Sequence, residues 1–73
     1  MSVKLGPGLA RTTQASWESE ARARFIRARR ALGSQLTVAF MLGVGRRTIE
    51  DWERGAARVP AWALCVVEAR RAA

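Results

Sequence analysis

The chain contains no histidine and no tyrosine, and among its 73 residues there are one cysteine, one lysine and two prolines. With no histidine, and with Cys65 as the lone thiol, neither a zinc site of the usual Cys/His kind nor an internal disulfide can be assembled, which fits a reducing compartment. The same scarcity removes most bases and nucleophiles. Lys4 is the single lysine, the carboxylates fall on expected helix surfaces, and no nucleophile and base pair emerges, so no enzymatic activity is expected. No cofactor, metal or small-molecule ligand is expected either. No run of about 18 apolar residues is present. The opening MSVKLGPGLARTT lacks an apolar stretch of signal-peptide length, so the expected setting is the cytoplasm, without membrane contact.

What the sequence has in abundance is positive charge. Thirteen basic residues against six acidic ones give a net charge of +7 and a pI of about 11.7, which draws a protein to polyanions. Twelve of the thirteen are arginine. Arginine suits bidentate recognition of phosphates and guanines, although an arginine-rich composition also follows from a GC-rich genome. A chain this short holds one domain with one small core, and its burial is marginal unless it packs well or pairs with a copy of itself.

Residues 1–15 include Gly6, Pro7, Gly8, Thr12 and Thr13 with little apolar periodicity, and they read as a flexible arm whose Lys4 and Arg11 are available to a phosphate or a minor groove. Residues 16–73 form the domain. Ser16 resembles a helix cap followed by acids in the first turn, and Trp17, Ala21, Phe25, Ala28 and Leu32 recur at spacings of three and four. A first helix over about 17–32 is therefore predicted. Gly33 ends it with a left-handed residue, and Ser34 caps a short helix from Gln35 to Leu42 whose Val38, Ala39 and Leu42 face inward. After the turn Gly43, Val44, Gly45, a third helix runs from Arg46 to about Arg54, buries Ile49 and Trp52, and stops at Gly55.

The loop at 56–59 leads to Pro60, suited to the first position of a helix over about 60–71. That helix carries Trp62, Leu64, Cys65, Val66 and Val67, more than one face of apolar surface, so a second copy is expected to cover Trp62, Cys65 and Val66 unless a monomeric core takes them in. No strand pattern and no internal repeat is present. The expected fold is all-α, a bundle of about four to five helices.

Two short helices joined by a tight glycine-containing turn form a helix-turn-helix, whose second helix is presented to the major groove while the first steadies it. Ala39 is small where the helices cross, Gly43 takes the turn, and Val38, Leu42, Val44, Ile49 and Trp52 form the shared seam. SQLTVAFMLGVGRRTIEDWERG resembles the helix-turn-helix core of the Cro/C1-type (XRE-like) repressors, whose pattern runs S-Q, L-A, L-G-V-S, T-I, W-E-R-G. FIRARRALG is similar to that family's first helix, and the resemblance spans roughly residues 25–67. It implies a bundle of the lambda-repressor type that binds operator DNA as a dimer.

Position by position, the resemblance implies that Gln35 holds a DNA phosphate. It places Gly45, Arg46, Arg47, Thr48 and Asp51 against bases or the adjoining backbone, gives Arg54 and Arg58 a second phosphate clamp, and pairs Glu53 with Arg29. Three departures stand out. Gly33 runs straight into Ser34 with no intervening apolar residue, Gly45 replaces a capping Ser or Thr, and Asp51 replaces an amide.

The segment LGVGRRTIEDWERG also orders its charges against the helix dipole, with arginines first and acids later. Bases belong at the end that enters a groove, which accounts for the order. Asp51 is expected to hold an arginine in position or to accept from a cytosine amino group. Trp52 reads as core, Trp17 and Trp62 as core or interface, and Cys65 as a small apolar residue. The expected function is a homodimeric repressor on an inverted-repeat operator of double-stranded DNA, too short for a separate ligand-sensing domain and autoregulating a small phage or mobile-element operon. An antitoxin that also neutralises a partner protein, and a non-specific nucleic-acid coat, are the alternatives.

Overall fold

A computed structural model describes residues 18–73; the expected arm, the Ser16 cap and Trp17 lie outside the described residues. Helix α1 occupies 18–32, α2 spans Gln35–Leu42, α3 Arg46–Arg54 and α4 Ala61–Ala72. The described residues are all-helical and contain no strand; of the expected four to five helices, four lie among them. No described helix is long and apolar enough to cross a membrane.

Local chemistry sets the ends. The Ser34 hydroxyl accepts from the Thr37 N–H at 3.1 Å, which satisfies one orphan donor of α2. At the other end Gly43 is left-handed (φ 74°), and Gly43 N–H to Phe40 O (3.3 Å) with Val44 N–H to Ala39 O (3.0 Å) form a Schellman cap. The same pattern closes α3 through Gly55 and Ala56. Gly55 is required by its positive φ of 87°, and the Arg22 guanidinium lies across this C-terminal end of α3, where a Cβ would displace it.

Two expectations about ends need correction. Gly33 has φ 146°, a wider glycine conformation than the left-handed cap. The α1 terminus is instead closed by Gly33 N–H to Arg29 O at 2.9 Å and by the Arg29 side chain donating to Gly33 O. Pro60 is the N-cap of α4 and not its first helical residue (φ −73°, ψ 151°). Its carbonyl accepts the first bonds of the helix, from the Ala63 N–H at 3.1 Å and the Leu64 N–H at 3.2 Å, so Pro60 stands one residue outside α4 while Val59 before it is buried in the core.

The core joins all four helices. Phe25 of α1, Val38 of α2, Ile49 of α3 and Val67 of α4 are fully buried, with Ala21, Ala28, Ala39, Trp52, Val59, Ala63 and Leu64 around them and Leu32, Leu42 and Val44 packed against the cluster. The Trp52 ring meets Phe25 edge-on at 5.5 Å and Trp62 at 6.3 Å, so one side chain bridges three helices. Arg24 reaches from α1 to Glu68 of α4 with two hydrogen bonds.

Not every large apolar residue joins. Trp62 is half-exposed, meeting Trp52 at right angles, and Val66 and Cys65 are exposed. On α2, Leu36 and Phe40 stand one turn apart and Phe40 is 90% exposed. The helix has no charged residue on any side; Val38 and Ala39 are buried and Leu42 packs against the core, the face that the sequence marked.

Candidate nucleic-acid interface

Helix α3 is anchored by Ile49 and Trp52 and shows solvent the opposite side. Three and four residues apart on that side stand Arg46, Arg47, Glu50, Asp51 and Arg54. Arg46 and Arg47 lie in the first turn, where no acid accompanies them, and their side chains are 59% and 83% exposed. Thr48 is half-buried beside them. Positive charge at a helix N-terminus costs about 0.3–1 kcal/mol per group at low salt. Here the cost is offset in part by partners one turn on: Arg46 to Glu50 at 3.0 Å and Arg47 to Asp51 at 3.9 Å.

Asp51 also accepts from Arg54 at 2.5 Å, so one carboxylate holds the arginines at both ends of the exposed stripe. The role of arginine holder, one of the two expected for it, is the one this geometry shows.

Gly45 caps α3 without a side-chain hydrogen bond, at φ −77°, and a Cβ added there meets nothing within 4 Å. Gly45→Ser should therefore fit, supply the missing acceptor to the α3 N–H groups, and restrict the unfolded chain. The expected gain is about 0.3–1 kcal/mol, a rise of a few degrees in thermal melting. A melting temperature that falls would show that the α3 entrance is strained in a way the backbone angles do not express.

At the α2 entrance the structure builds a joint that the sequence announced only in part. Arg29 of α1 donates through Nε (2.7 Å) and Nη2 (2.8 Å) to the Glu53 carboxylate of α3, and Gln35 Nε2 of α2 donates to the same carboxylate at 3.0 Å. The Arg29 and Glu53 side chains are 15% and 11% exposed. Burial pushes the Glu53 carboxyl up, but hydrogen bonds from Arg29 and Gln35 with the charges of Arg29 and Arg30 outweigh it and hold the group below the usual carboxylate range. Arg29 is raised in turn, chiefly by its hydrogen bond to Glu53. Gln35 is thus not a loose surface amide: it is held between two helices at the start of α2, beside an open cleft lined with Glu50, Glu53 and Arg54.

Arg58, in the loop before α4, is exposed and pairs with Glu18 at 3.4 Å. The structure thus groups Gly45, Arg46, Arg47, Thr48, Asp51 and Arg54 on or beside one exposed helix face and ties Gln35 to that helix through Glu53, while Arg58 is tied to α1. The Arg24–Glu68, Gln35–Glu53 and Arg58–Glu18 contacts were not visible beforehand, since each joins residues far apart in sequence. Compared with models of known protein families, with curated proteins and with solved structures, the chain matches none.

Proposed function

We propose that this chain is a sequence-specific DNA-binding repressor that acts as a homodimer, laying α3 in the major groove with α2 across the backbone, as a helix-turn-helix of the Cro/C1 type. One observation carries the reading. Arg46 and Arg47 stand exposed in the first turn of a helix whose other side is locked in the core, behind the uncharged turn Gly43, Val44, Gly45 that lets a backbone approach. Gln35 at the head of α2 and Arg58 in the following loop would flank that helix on phosphates. Two such helices about 34 Å apart, related by a twofold axis, read an inverted repeat, and occupancy of a promoter represses by exclusion. Autoregulation of a small phage or mobile-element operon in the cytoplasm, on the nucleoid, is the setting this fits.

The test is footprinting on DNA immediately upstream of the chain's own gene. A protected inverted repeat is expected, and Arg47→Ala should weaken binding to it by about 1–3 kcal/mol while relaxing preference at one base pair per half-site. Equal affinity for random duplex, with wild type and variant differing only in salt dependence, would leave a non-specific coat in its place.

The dimer would use the outward side of α4, where Trp62, Cys65 and Val66 are exposed. Cys65 makes this checkable, because two thiols facing each other across a twofold axis oxidise to a disulfide when their Cα atoms lie within about 4.4–6.8 Å. Mild oxidation at micromolar concentration is expected to give a covalent dimer that Cys65→Ser abolishes; a strictly monomeric species by light scattering would remove the α4 dimer.

A specific observation favours a second reading. Leu36 and Phe40 form an exposed apolar pair on α2, and exposed pairs of this kind serve protein contacts. An antitoxin that binds DNA and also a partner protein would use such a pair. Growth arrest on deletion of this gene alone would favour it over a plain repressor.

A further inference from the structure

The outward acids of α3 sit awkwardly on a helix meant to approach a polyanion. Arg46, Arg47 and Arg54 are balanced by Glu50, Asp51 and Glu53, so α3 is electrically neutral within a chain of net charge +7. Positive charge is concentrated instead on α1, which carries Arg22, Arg24, Arg27, Arg29 and Arg30 against Glu18 and Glu20. Glu53 is turned toward Arg29 and Gln35. That leaves Glu50 and Asp51 as the acids of the exposed stripe, and between them they hold all three of its arginines: Arg46 at 3.0 Å, Arg47 at 3.9 Å and Arg54 at 2.5 Å.

We propose that Glu50 and Asp51 determine specificity by suppressing binding to DNA of the wrong sequence. This rests on the DNA-binding reading above. A phosphate that recruits Arg46, Arg47 or Arg54 must first take it from a carboxylate, and the carboxylate left behind then faces the phosphates unpartnered. Like charges 4 Å apart repel by about 1 kcal/mol in water and by several times more beside a protein surface, so each exchange is nearly self-cancelling on a featureless duplex.

The balance shifts only where the groove offers these carboxylates a donor of its own. In the major groove that donor is an exocyclic amino group, the N4 of cytosine above all, while the released arginine takes the O6 and N7 of a guanine. A site with both closes every charge; a site with neither leaves carboxylates against phosphate. Attraction that ignores sequence then comes from elsewhere, and Arg27 and Arg30, exposed on α1 and outside the ion pairs among the described residues, are placed to supply it.

The experiment uses the full chain, a duplex enriched by the wild-type protein from a random-sequence pool, and the unselected pool. Affinities are measured across a salt series for wild type, Glu50→Gln, Asp51→Asn, the double variant, and Glu20→Gln as a control that removes an exposed acid from α1. Each α3 variant is expected to bind the unselected pool about three- to tenfold tighter, with a salt slope steeper by about one as an arginine becomes free to displace counterions. Binding to the enriched duplex should change less, so the ratio between the two falls, while Glu20→Gln alters the ratio little.

Unchanged affinity and slope on the unselected pool would overturn the inference. So would an equal weakening on both duplexes, which marks a merely structural role, or an equal effect of Glu20→Gln, which marks overall charge. A wild-type protein that enriches no sequence would remove the DNA-binding reading together with the inference; enrichment without the variant effects removes the inference alone.

Discussion

Phe25→Ala is expected to abolish the cooperative thermal transition of this domain, while Phe40→Ala leaves it where it was. The two residues differ in burial, not in type: Phe25 is fully enclosed and Phe40 is 90% exposed. Truncating a buried phenylalanine costs about 3–5 kcal/mol through lost transfer energy and the cavity left behind. The edge-on contact with Trp52 adds about 0.5–1.5 kcal/mol. A domain of this size has roughly 4–11 kcal/mol in hand, so the lower half of that range is consumed by the single change.

At Phe40 nothing is uncovered, and alanine is the better helix former, so the shift should stay within about 0.5 kcal/mol of zero. Circular dichroism melts of the two variants decide it. A Phe40 variant as unstable as the Phe25 variant would mean that the α2 face is covered in solution, by a second copy or another protein.

Glu53→Ala should have the next largest effect, through the joint of α1, α2 and α3. Removing the carboxylate strands the Arg29 guanidinium in a site where its side chain is 15% exposed, and frees the Gln35 amide. A fully buried pair broken in this way costs about 3–5 kcal/mol; the residual exposure here brings the expectation to about 2–3 kcal/mol, a fall in melting temperature of roughly 10–20 °C.

The same joint gives the protein an acid limit. Glu53 is held below the usual carboxylate range when folded, so its stabilising contribution is fully present above the unfolded value of about 4.3 and is lost as pH falls through the lower folded value. Glu68, lowered chiefly by its hydrogen bond from Arg24, acts in the same direction. Wild type should therefore lose stability as the pH drops below about 4.3. Glu53→Gln, less stable at neutral pH, should lose less over that interval. An identical acid profile for the two would show that Glu53 is not the group being protonated.

Glu53→Ala also separates scaffold from contact. It leaves every exposed arginine of α3 in place but releases Gln35, so under the DNA-binding proposal it should weaken operator binding at a temperature where the variant is still folded. Arg47→Ala should weaken it with no change in melting.

Much of this fold was written locally. The spacing of Ala21, Phe25 and Ala28, the Ser34 hydroxyl three residues before the Thr37 N–H, and glycines at 43 and 55 mark helix ends and inward faces from within a turn or two of chain. The exposed arginines of α3 were legible for the same reason, because Ile49 and Trp52 at i and i+3 leave only the opposite side for Arg46 and Arg47. The Glu53–Arg29 pair came from resemblance alone. Its third member, Gln35, went unseen, since nothing local aims an amide at a carboxylate 18 residues away.

By itself, then, the sequence determined the all-helical class, the limits of α2 and α3, those of α4 to within a residue, and the stripe of arginines on α3. Those features depend on hydrogen bonds and side-chain periodicity that close within four or five residues. Only the tertiary structure decided that Trp62 meets Trp52 at right angles and stays half-exposed, and that every outward arginine of α3 already has a carboxylate. On α2 the inward face of Val38, Ala39 and Leu42 was marked by spacing, while Leu36 and Phe40 on the rest of the helix are left exposed. The ion pairs from α1 span 24, 40 and 44 residues, and their partners are chosen when the chain packs.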